Sequence, residues 1–205
     1  MEVKVSFKNQ IQERTLEELK LYFQPKVFME YCKACQYYNK IWSCPPYNFD
    51  LTEMLDRYQY AYIIGSKVYI DDLEEDLKQL SEDKNLEVVT NEIYKAAREV
   101  LDARLNTIAE AEKDLCVLLA GGCMECDCCT REIQLPCTRP EKLHYSLESI
   151  GFDVATISEE VLGDKILWAK ESLPEYIILV CAIFSQEKLD IEGIYDSISH
   201  EDFGV

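Results

Sequence analysis

The sequence has no apolar run long enough to cross a membrane. Its longest apolar run, from Tyr176 to Phe184, suits a buried strand instead. No apolar run follows the opening residues Met1 to Val5 either, which argues against a secretory signal. We therefore expect a cytoplasmic protein with no membrane partner, in a compartment where thiols stay reduced.

Basic residues are also scarce. The chain has 21 Lys and Arg against 39 Asp and Glu, which gives a formal net charge of -18. A chain with this charge is repelled by phosphate backbones, so the composition argues against nucleic acid as a direct partner. The acidity is explained by solubility, or in a sharper interpretation by a docking face for a basic protein partner.

Common catalytic signatures are missing as well. The sequence has no glycine-rich phosphate loop, no Gly-x-Ser-x-Gly elbow and no histidine-rich metal helix. Of its two histidines, His144 is interpreted as a helix-surface residue, with a hydrogen bond to a cluster sulfur as the alternative. His200, in the acidic tail, is interpreted as solvated. Whether the protein is an enzyme is left open at this stage.

What the chain does have is cysteine, with ten in 205 residues. In a reducing compartment this number indicates metal ligation or redox chemistry rather than a disulfide framework. Cys116 and Cys181 lie in apolar strand patterns and are interpreted as small core residues. Seven others form two groups, which are Cys32, Cys35 and Cys44 in the first and Cys123, Cys126, Cys129 and Cys137 in the second.

The second group supplies four thiolates within a short stretch. Cys123, Cys126 and Cys129 follow one another at C-x2-C-x2-C spacing, and Cys137 comes later. A third thiolate at the same interval suits an iron–sulfur cubane better than a tetrahedral zinc, which takes two pairs from separated knuckles. Cys128 breaks this register and is interpreted as a non-ligand, although a swap with Cys126 or Cys129 stays open. We expect a [4Fe-4S] cluster here, with zinc as the alternative.

Four other residues of this loop have predicted roles. Gly121 and Gly122 allow the backbone to approach a metal closely. Arg131 and Arg139 either offset the negative charge of a thiolate-ligated cluster or are ordinary surface charges.

The first group, Cys32, Cys35 and Cys44, is one thiolate short of a complete site. It can be completed by ligand exchange with the second group, by a cubane with one open iron, or by both groups surrounding a single site. A fourth solution is a distant thiolate, for which the candidates are Cys116, Cys128 and Cys181. A C-x2-C pair can also be a redox dithiol, but that would leave Cys44 unexplained.

The order of elements predicts an α+β (mixed α/β) fold, with a central sheet and flanking helices. We expect strands near residues 3–7, 58–70, 115–120 and 176–184, a helix that begins near Asp71, and helices over 90–113, 140–151 and 158–162. Thr15 and Glu18 predict a capping box at a helix that ends before Pro25. We expect one metal-binding domain over 1–205, with cysteine-rich loops at 31–49 and 121–140 at the same end of the sheet.

The two cysteine groups resemble those of the uncharacterised "predicted metal-binding" proteins, a cysteine-rich domain of unknown function from anaerobic bacteria and methanogenic archaea. The matching stretches are Cys32-x2-Cys35 through Trp42-Ser43-Cys44-Pro45-Pro46-Tyr47, Gly121-Gly122-Cys123-x2-Cys126-x2-Cys129, and Cys137-x2-Pro140 through Ser146 to Gly151. The resemblance implies metal binding through these seven cysteines and leaves Cys128 outside the pattern. It implies no particular reaction.

These observations predict an iron–sulfur protein with one or two [4Fe-4S] clusters that transfers electrons with a redox protein partner. The alternatives are an iron–sulfur enzyme with an open iron held by Cys32, Cys35 and Cys44, and a zinc-stabilised adaptor.

Overall fold

The fold is built on a four-stranded antiparallel sheet with strand order β1-β2-β4-β3. The computed structural model describes residues 5–70, 86–112 and 114–199. Its strands are β1 (Lys8–Thr15), β2 (Tyr60–Tyr69), β3 (Cys116–Leu118) and β4 (Tyr176–Ser185). The predicted α+β class is confirmed, because helices flank a central sheet.

The two central strands form because both are rich in β-branched and aromatic residues. They pair in register, with Ile63 opposite Ala182 and Ile64 opposite Cys181. Successive side chains of a strand point to opposite faces, so each central strand contributes side chains to two hydrophobic cores, one on each face of the sheet. Ile64 and Cys181 belong to one core, and Ile63 and Ala182 belong to the other. The strands predicted at 58–70 and 176–184 are confirmed.

Six α-helices lie in the described residues. They are α1 (Leu16–Leu19), α2 (Pro25–Ala34), α3 (Leu51–Leu55), α4 (Leu86–Ala111), α5 (Val154–Glu160) and α6 (Ile191–Ser199). Helices α4 and α6 cover one face of the sheet, while α1 and α5 cover the other. No described helix is both long and apolar enough to pass through a membrane. Residues 71–85, where Asp71 was expected to begin a helix, lie outside the described part of the chain.

Several local predictions are confirmed. Thr15 and Glu18 form the expected capping box, in which each side chain bonds the other residue's backbone N–H. The long helix expected at 90–113 is present as α4, and its start lies earlier than predicted. Pro25 does more than end a helix, because it occupies the first turn of α2, where its missing N–H has no cost.

Three predicted elements differ from the structure. Residues 5–7 are not a strand, since β1 begins at Lys8. The helix expected at 158–162 lies earlier, because Asp153 caps it by accepting a hydrogen bond from the N–H of Thr156. The helix expected at 140–151 is replaced by a short 3-10 helix (Pro140–Lys142) and a turn.

Serine side chains explain the missing helix at 140–151. The N–H of Ser149 donates to the hydroxyl of Ser146, and the N–H of Ser146 donates to the hydroxyl of Ser149. Short polar side chains that bond the backbone in this way offer it an alternative to helical hydrogen bonds. The resulting turn, residues 147–151, contains Glu148, whose charge acts on the first cysteine group.

Candidate metal centre

The first cysteine group straddles the end of α2. Cys32 lies in the last turn of the helix, and the N–H of Cys35, its C-terminal cap, donates to the carbonyl of Cys32 at 3.0 Å. Cys32 and Cys44 are half-buried, whereas Cys35 is exposed. The chain turns after Cys35 and returns to bring Cys44 back towards the helix end.

The three thiols of this group are close enough to interact electrostatically. Burial, with a smaller contribution from negative charge on Cys35 and Cys32, raises the pKa of Cys44 to about 11. Burial also raises the pKa of Cys32, with a further contribution from Cys35. Three thiolates that repel one another in a partly desolvated site are the donor set that a soft metal centre neutralises.

The structure adds a carboxylate to the first group, Glu148. Its charge raises the pKa of both Cys32 and Cys44, after the larger effect of burial on each thiol. Burial raises the pKa of Glu148 itself, and the Ser146 side chain and the Gly121 N–H partly oppose that rise. Sequence reasoning missed Glu148 because it follows no ligand spacing and was assigned to a helix.

The completion of the first group by a distant thiolate remains a prediction. In the described residues, the strongest electrostatic contacts of Cys32 and Cys44 do not include Cys116, Cys128 or Cys181. Cys116 lies beside Tyr58, and burial raises its pKa to about 12. Cys181 is fully buried in β4. The interpretation of Cys116 and Cys181 as core residues is confirmed, and the structure leaves Glu148 as the extra group at this site.

The second group follows β3. Gly121 begins this loop with φ = 71°, a conformation that favours glycine. Burial raises the pKa of Cys123, whose thiolate also accepts a hydrogen bond from the N–H of Glu125. Charge on Cys137 and Cys126 raises the Cys123 pKa further, so these three thiols converge.

Cys129 is not among these three interacting thiols. It is half-buried at the N-terminal cap of a short 3-10 helix (Thr130–Ile133). The strongest electrostatic contacts of Cys123 within the described residues are with Glu125, Cys137 and Cys126, and do not include Cys129. Cys128 is exposed. The choice between Cys128 and Cys129 as a ligand remains a prediction.

The two cysteine loops contact each other, as expected from placing both at one end of the sheet. The N–H of Cys123 donates to the hydroxyl of Ser43 at 2.8 Å. A Cβ atom at Gly122 would lie 2.6 Å from Cδ1 of Ile41 and 4.0 Å from Sγ of Cys44. A side chain at 122 would therefore require the end of the Ile41 side chain to move.

Arg131 ties the loops together from the other side. Its guanidinium is buried and donates to the carbonyl oxygens of Ile41, Cys44 and Pro46. It also lies 5.0 Å from the ring centroid of Trp42. Arg131 therefore stabilises the conformation of the first loop through its backbone carbonyl groups. Arg139 lies at the surface, with a long 3.5 Å contact to Glu125, and fits the surface-charge interpretation.

Aromatic rings wall the first group on one side. Tyr47 stacks on Phe49 at 5.0 Å and meets Tyr145 edge-on at 5.1 Å. The Tyr47 hydroxyl donates to the carbonyl of Ser43 at 2.8 Å, which fixes the ring against the cysteine loop. A wall of this kind lowers the water content around a metal site.

His144 is not the helix-surface residue that the sequence predicted. It follows the 3-10 helix Pro140–Lys142, and its Nδ1 lies 3.1 Å from the carbonyl of Val117. Burial lowers its pKa, which favours the neutral ring near pH 7.

The donor set fits a thiolate-ligated metal. All ten cysteines are free, and each group brings three thiols together. Among the described residues, no three His, Cys, Asp or Glu side chains are arranged to hold one metal ion directly. A cubane presents separate irons to its thiolates, so its ligands are spread over a larger body than those of a single ion.

A comparison with protein families gives one match. The family described as "Predicted metal-binding protein (DUF2284)" matches residues 14–181, which is more than half of the chain and includes every cysteine. Neither the comparison with curated proteins nor that with solved structures gives a match.

Proposed function

Because the chain belongs to the family of predicted metal-binding proteins, we propose that it is an iron–sulfur protein that transfers electrons with a protein partner. The observation that carries this proposal is the convergence of free thiols in two loops that contact each other. Metal binding is the family's described property, whereas the iron–sulfur assignment and electron transfer are our inferences.

Cys123, Cys126, Cys129 and Cys137 would hold the primary cluster, because they supply four thiolates from one loop. A [4Fe-4S] cluster in that position would supply one-electron storage. The N–H of Glu125 donates to the Cys123 sulfur, which stabilises negative charge there. The second cluster would be held by Cys32, Cys35 and Cys44, with the Ser43 side chain donating to the Cys44 sulfur.

Charge supports a protein partner of opposite sign. The chain carries a formal net charge of -18, so electrostatic steering favours a basic redox protein. We place this exchange in the cytoplasm, because the ten cysteines are free and a reducing compartment keeps thiols unpaired.

Metal and sulfide analysis of anaerobically purified protein tests the proposal. We expect iron and acid-labile sulfide in equal amounts, at about four of each per cluster. Cys123→Ser should lose the primary cluster and its electron paramagnetic resonance signal. The control variant Cys116→Ala changes a thiol outside both groups and should keep them. Stoichiometric zinc without sulfide would instead favour the adaptor.

One observation favours a second candidate function, an iron–sulfur enzyme. The charged group outside the set that acts on both Cys32 and Cys44 is the carboxylate of Glu148 rather than a fourth thiol. A cubane held by three thiolates leaves one iron to a weaker ligand or to a substrate. Glu148 would face that position, held by the N–H of Gly121.

The variant Glu148→Cys distinguishes the two candidates. Mild oxidation should release one iron from the wild-type first group and leave a three-iron cluster with its own resonance signal. Glu148→Cys should retain that iron, because a fourth thiolate is now available. Glu141→Cys adds an exposed thiol on the 3-10 helix Pro140–Lys142 and should behave like the wild type. A wild-type cluster that keeps all its iron would contradict the enzyme candidate.

A further inference from the structure

A cleft of about 490 Å³ is lined by the first cysteine loop, by the 3-10 helix Thr130–Ile133 and by residues 143–145. This volume falls within the range of roughly 300 to 1,000 Å³ typical of small-molecule sites. Four aromatic residues form much of the wall, namely Trp42, Tyr47, Phe49 and Tyr145. None of the described residues that line the cleft is a cysteine, so it is separate from both ligand sets.

Three of these rings form one aromatic surface. Tyr47 stacks on Phe49 at 5.0 Å, and Tyr145 meets the two rings at 5.1 and 5.5 Å. All three side chains are only partly buried, so the surface keeps an open side at the cleft that they line. Aromatic rings attract another ring in stacked or edge-on geometry. The wall therefore favours a planar aromatic ligand over an aliphatic one.

Arg131 gives the same cleft a buried positive charge. It is 8 % exposed and lines the cleft. Its partners are carbonyl oxygens, and in the part of the chain that the structure describes no ion pair joins it to a carboxylate. The strongest charges acting on Cys44 are those of Cys35, Cys32 and Glu148, so the thiols of the first group are not its counter-charge. A buried charge without an opposite charge requires an explanation.

Part of the Arg131 guanidinium is free to bind a ligand. Nη1 donates to the carbonyls of Ile41 and Cys44, and Nη2 donates to that of Pro46, which leaves the Nε–H and one Nη2–H unused. Among the described side chains, Arg98 has an enclosed Nε without a partner, whereas Arg131 has none. The unbonded Nε of Arg131 therefore reaches solvent, and the cleft is the open space that this residue lines. The two unused N–H groups lie along one edge of the planar fork and match the two oxygens of a carboxylate.

Negative charge elsewhere does not cancel this attraction. Glu132 is the carboxylate among the described residues of the wall, and it is exposed. Charges interact more strongly where water is excluded, so the buried Arg131 outweighs an exposed neighbour. The rest of the chain is acidic, but salt at physiological strength screens exposed charges beyond about 8 Å.

The backbone of the wall is strained on both sides of the cleft. Three described non-glycine residues have positive φ, and two of them, Asn39 and Gln134, line it with φ = 58° each. Gln134 ends the 3-10 helix that carries Arg131, and its N–H donates to the carbonyls of Thr130 and Arg131. Side chains other than glycine rarely adopt this conformation, and such residues concentrate at ligand sites. The strain is a second observation that points to a ligand here.

We propose that this cleft binds a small aromatic carboxylate. The carboxylate accepts two parallel hydrogen bonds from the Nε–H and Nη2–H of Arg131, and the ring stacks on the aromatic wall. Pro46 and Tyr47, which line the cleft, follow Cys44 closely in sequence, so the bound ring excludes water beside the first cysteine group. The site goes beyond electron transfer and is formed by protein atoms alone, so its test stands even if the iron–sulfur assignment fails.

Calorimetric titration of the full chain with three matched probes tests this site. Benzoate carries both features, benzamide keeps the ring without the charge, and cyclohexanecarboxylate keeps the charge without the aromatic ring. We expect one benzoate per chain, and binding of the other two weaker by about tenfold or more. Arg131→Lys and Phe49→Leu should each weaken benzoate binding by about tenfold. Arg139→Gln, on the same loop but outside the cleft, should stay within about twofold of the wild type.

Three results would overturn the proposal. Benzamide that binds as tightly as benzoate would show that the charge of Arg131 has no part in recognition. Cyclohexanecarboxylate that binds as tightly would show the same for the aromatic wall. Benzoate binding that follows the iron content and is unchanged in Phe49→Leu would place the carboxylate on iron. If Arg131→Lys fails to fold, as its melting curve would reveal, the wild-type comparison with benzamide and the variant Phe49→Leu decide the outcome.

Discussion

The backbone N–H of Cys123 donates a 2.8 Å hydrogen bond to the hydroxyl of Ser43. The Ser43 side chain also opposes the rise in the pKa of Cys44 that burial causes, as a hydroxyl directed at the sulfur does. A hydroxyl has one proton and two lone pairs, so both bonds can exist together. Ser43 is almost completely buried. One side chain thereby links a thiol of the first cysteine group to the backbone of the second.

Replacing Ser43 by alanine should affect both groups at once. The N–H of Cys123 would lose its partner, which should lower the free energy of unfolding by about 1 to 3 kcal/mol. Urea denaturation and iron content measure the two effects, and we expect iron to fall in both groups. Ser197→Ala on α6 removes an exposed hydroxyl that donates to the carbonyl of Gly193, and it is the control. Loss of iron from the first group alone would contradict the link.

The second prediction concerns Arg131, for which the geometry of its hydrogen bonds matters more to stability than its positive charge. Arg131→Lys keeps the positive charge but cannot span the carbonyls of Ile41, Cys44 and Pro46 with a planar fork. We expect it to lower the free energy of unfolding by about 2 to 3 kcal/mol in urea denaturation.

The matched control is Arg139→Gln, which removes a charge at the exposed end of the same loop. It should change the free energy of unfolding by less than about 1 kcal/mol, as is usual for surface ion pairs. If offsetting cluster charge were the role of these arginines, Arg131→Lys would be harmless and Arg139→Gln would release metal.

Adjacent cysteines allow a third prediction, about ligand choice. Cys129→Ala should remove the iron of the primary cluster, because this residue is half-buried and keeps the three-residue spacing. Cys128→Ala should leave the iron content unchanged, because Cys128 breaks the C-x2-C-x2-C spacing. Iron analysis and the visible absorption of the cluster separate the two variants. The reverse pattern would mean that the chain turns one residue earlier than the spacing predicts.

These residues also indicate how far sequence reasoning reaches. The seven candidate ligands were found because their spacing is local, with intervals of a few residues inside each loop. Ser43, Arg131 and Glu148 were not assigned these roles, because each acts on a residue distant in sequence. The contact between Ser43 and Cys123 spans 80 positions and follows from the packing of the loops rather than from a motif.

The predictions of secondary structure also succeeded in some segments and failed in others. Strands β2 and β4 were predicted because long apolar runs rich in β-branched residues have few alternatives. The helix expected at 140–151 failed because Ser146 and Ser149 bond each other's backbone, a choice between two local solutions that residue spacing does not decide. Glu148 lies in the resulting turn, so the error in the fold and the missed site residue have one cause.

Asp102 provides the last prediction, a pH dependence of stability. Burial raises the pKa of its carboxyl to about 6 from an ordinary value of 3.8, and the nearby Arg98 opposes this rise only in part. Between these two pH values the folded chain keeps a proton that the unfolded chain has released. Stability contributed by this group is therefore greatest at low pH and falls as pH rises through the window from about 4 to 6.

The size of this effect follows from the shift. About two pKa units at roughly 1.4 kcal/mol each give a change on the order of 3 kcal/mol across the window. Asp102→Asn should remove that slope, so its free energy of unfolding should improve relative to the wild type as pH rises from 4 to 7. The lost pair with Arg98 adds an offset that does not depend on the titration of residue 102.

Urea denaturation at several pH values, on both proteins in the same metal state, measures the difference directly. Asp56→Asn, which removes a surface carboxylate bound to Lys20, is the control and should not reproduce this slope. Parallel stability curves for the wild type and Asp102→Asn would mean that the buried carboxyl keeps an ordinary pKa. The carboxyl of Asp102 would then be better solvated than its 8 % exposure indicates.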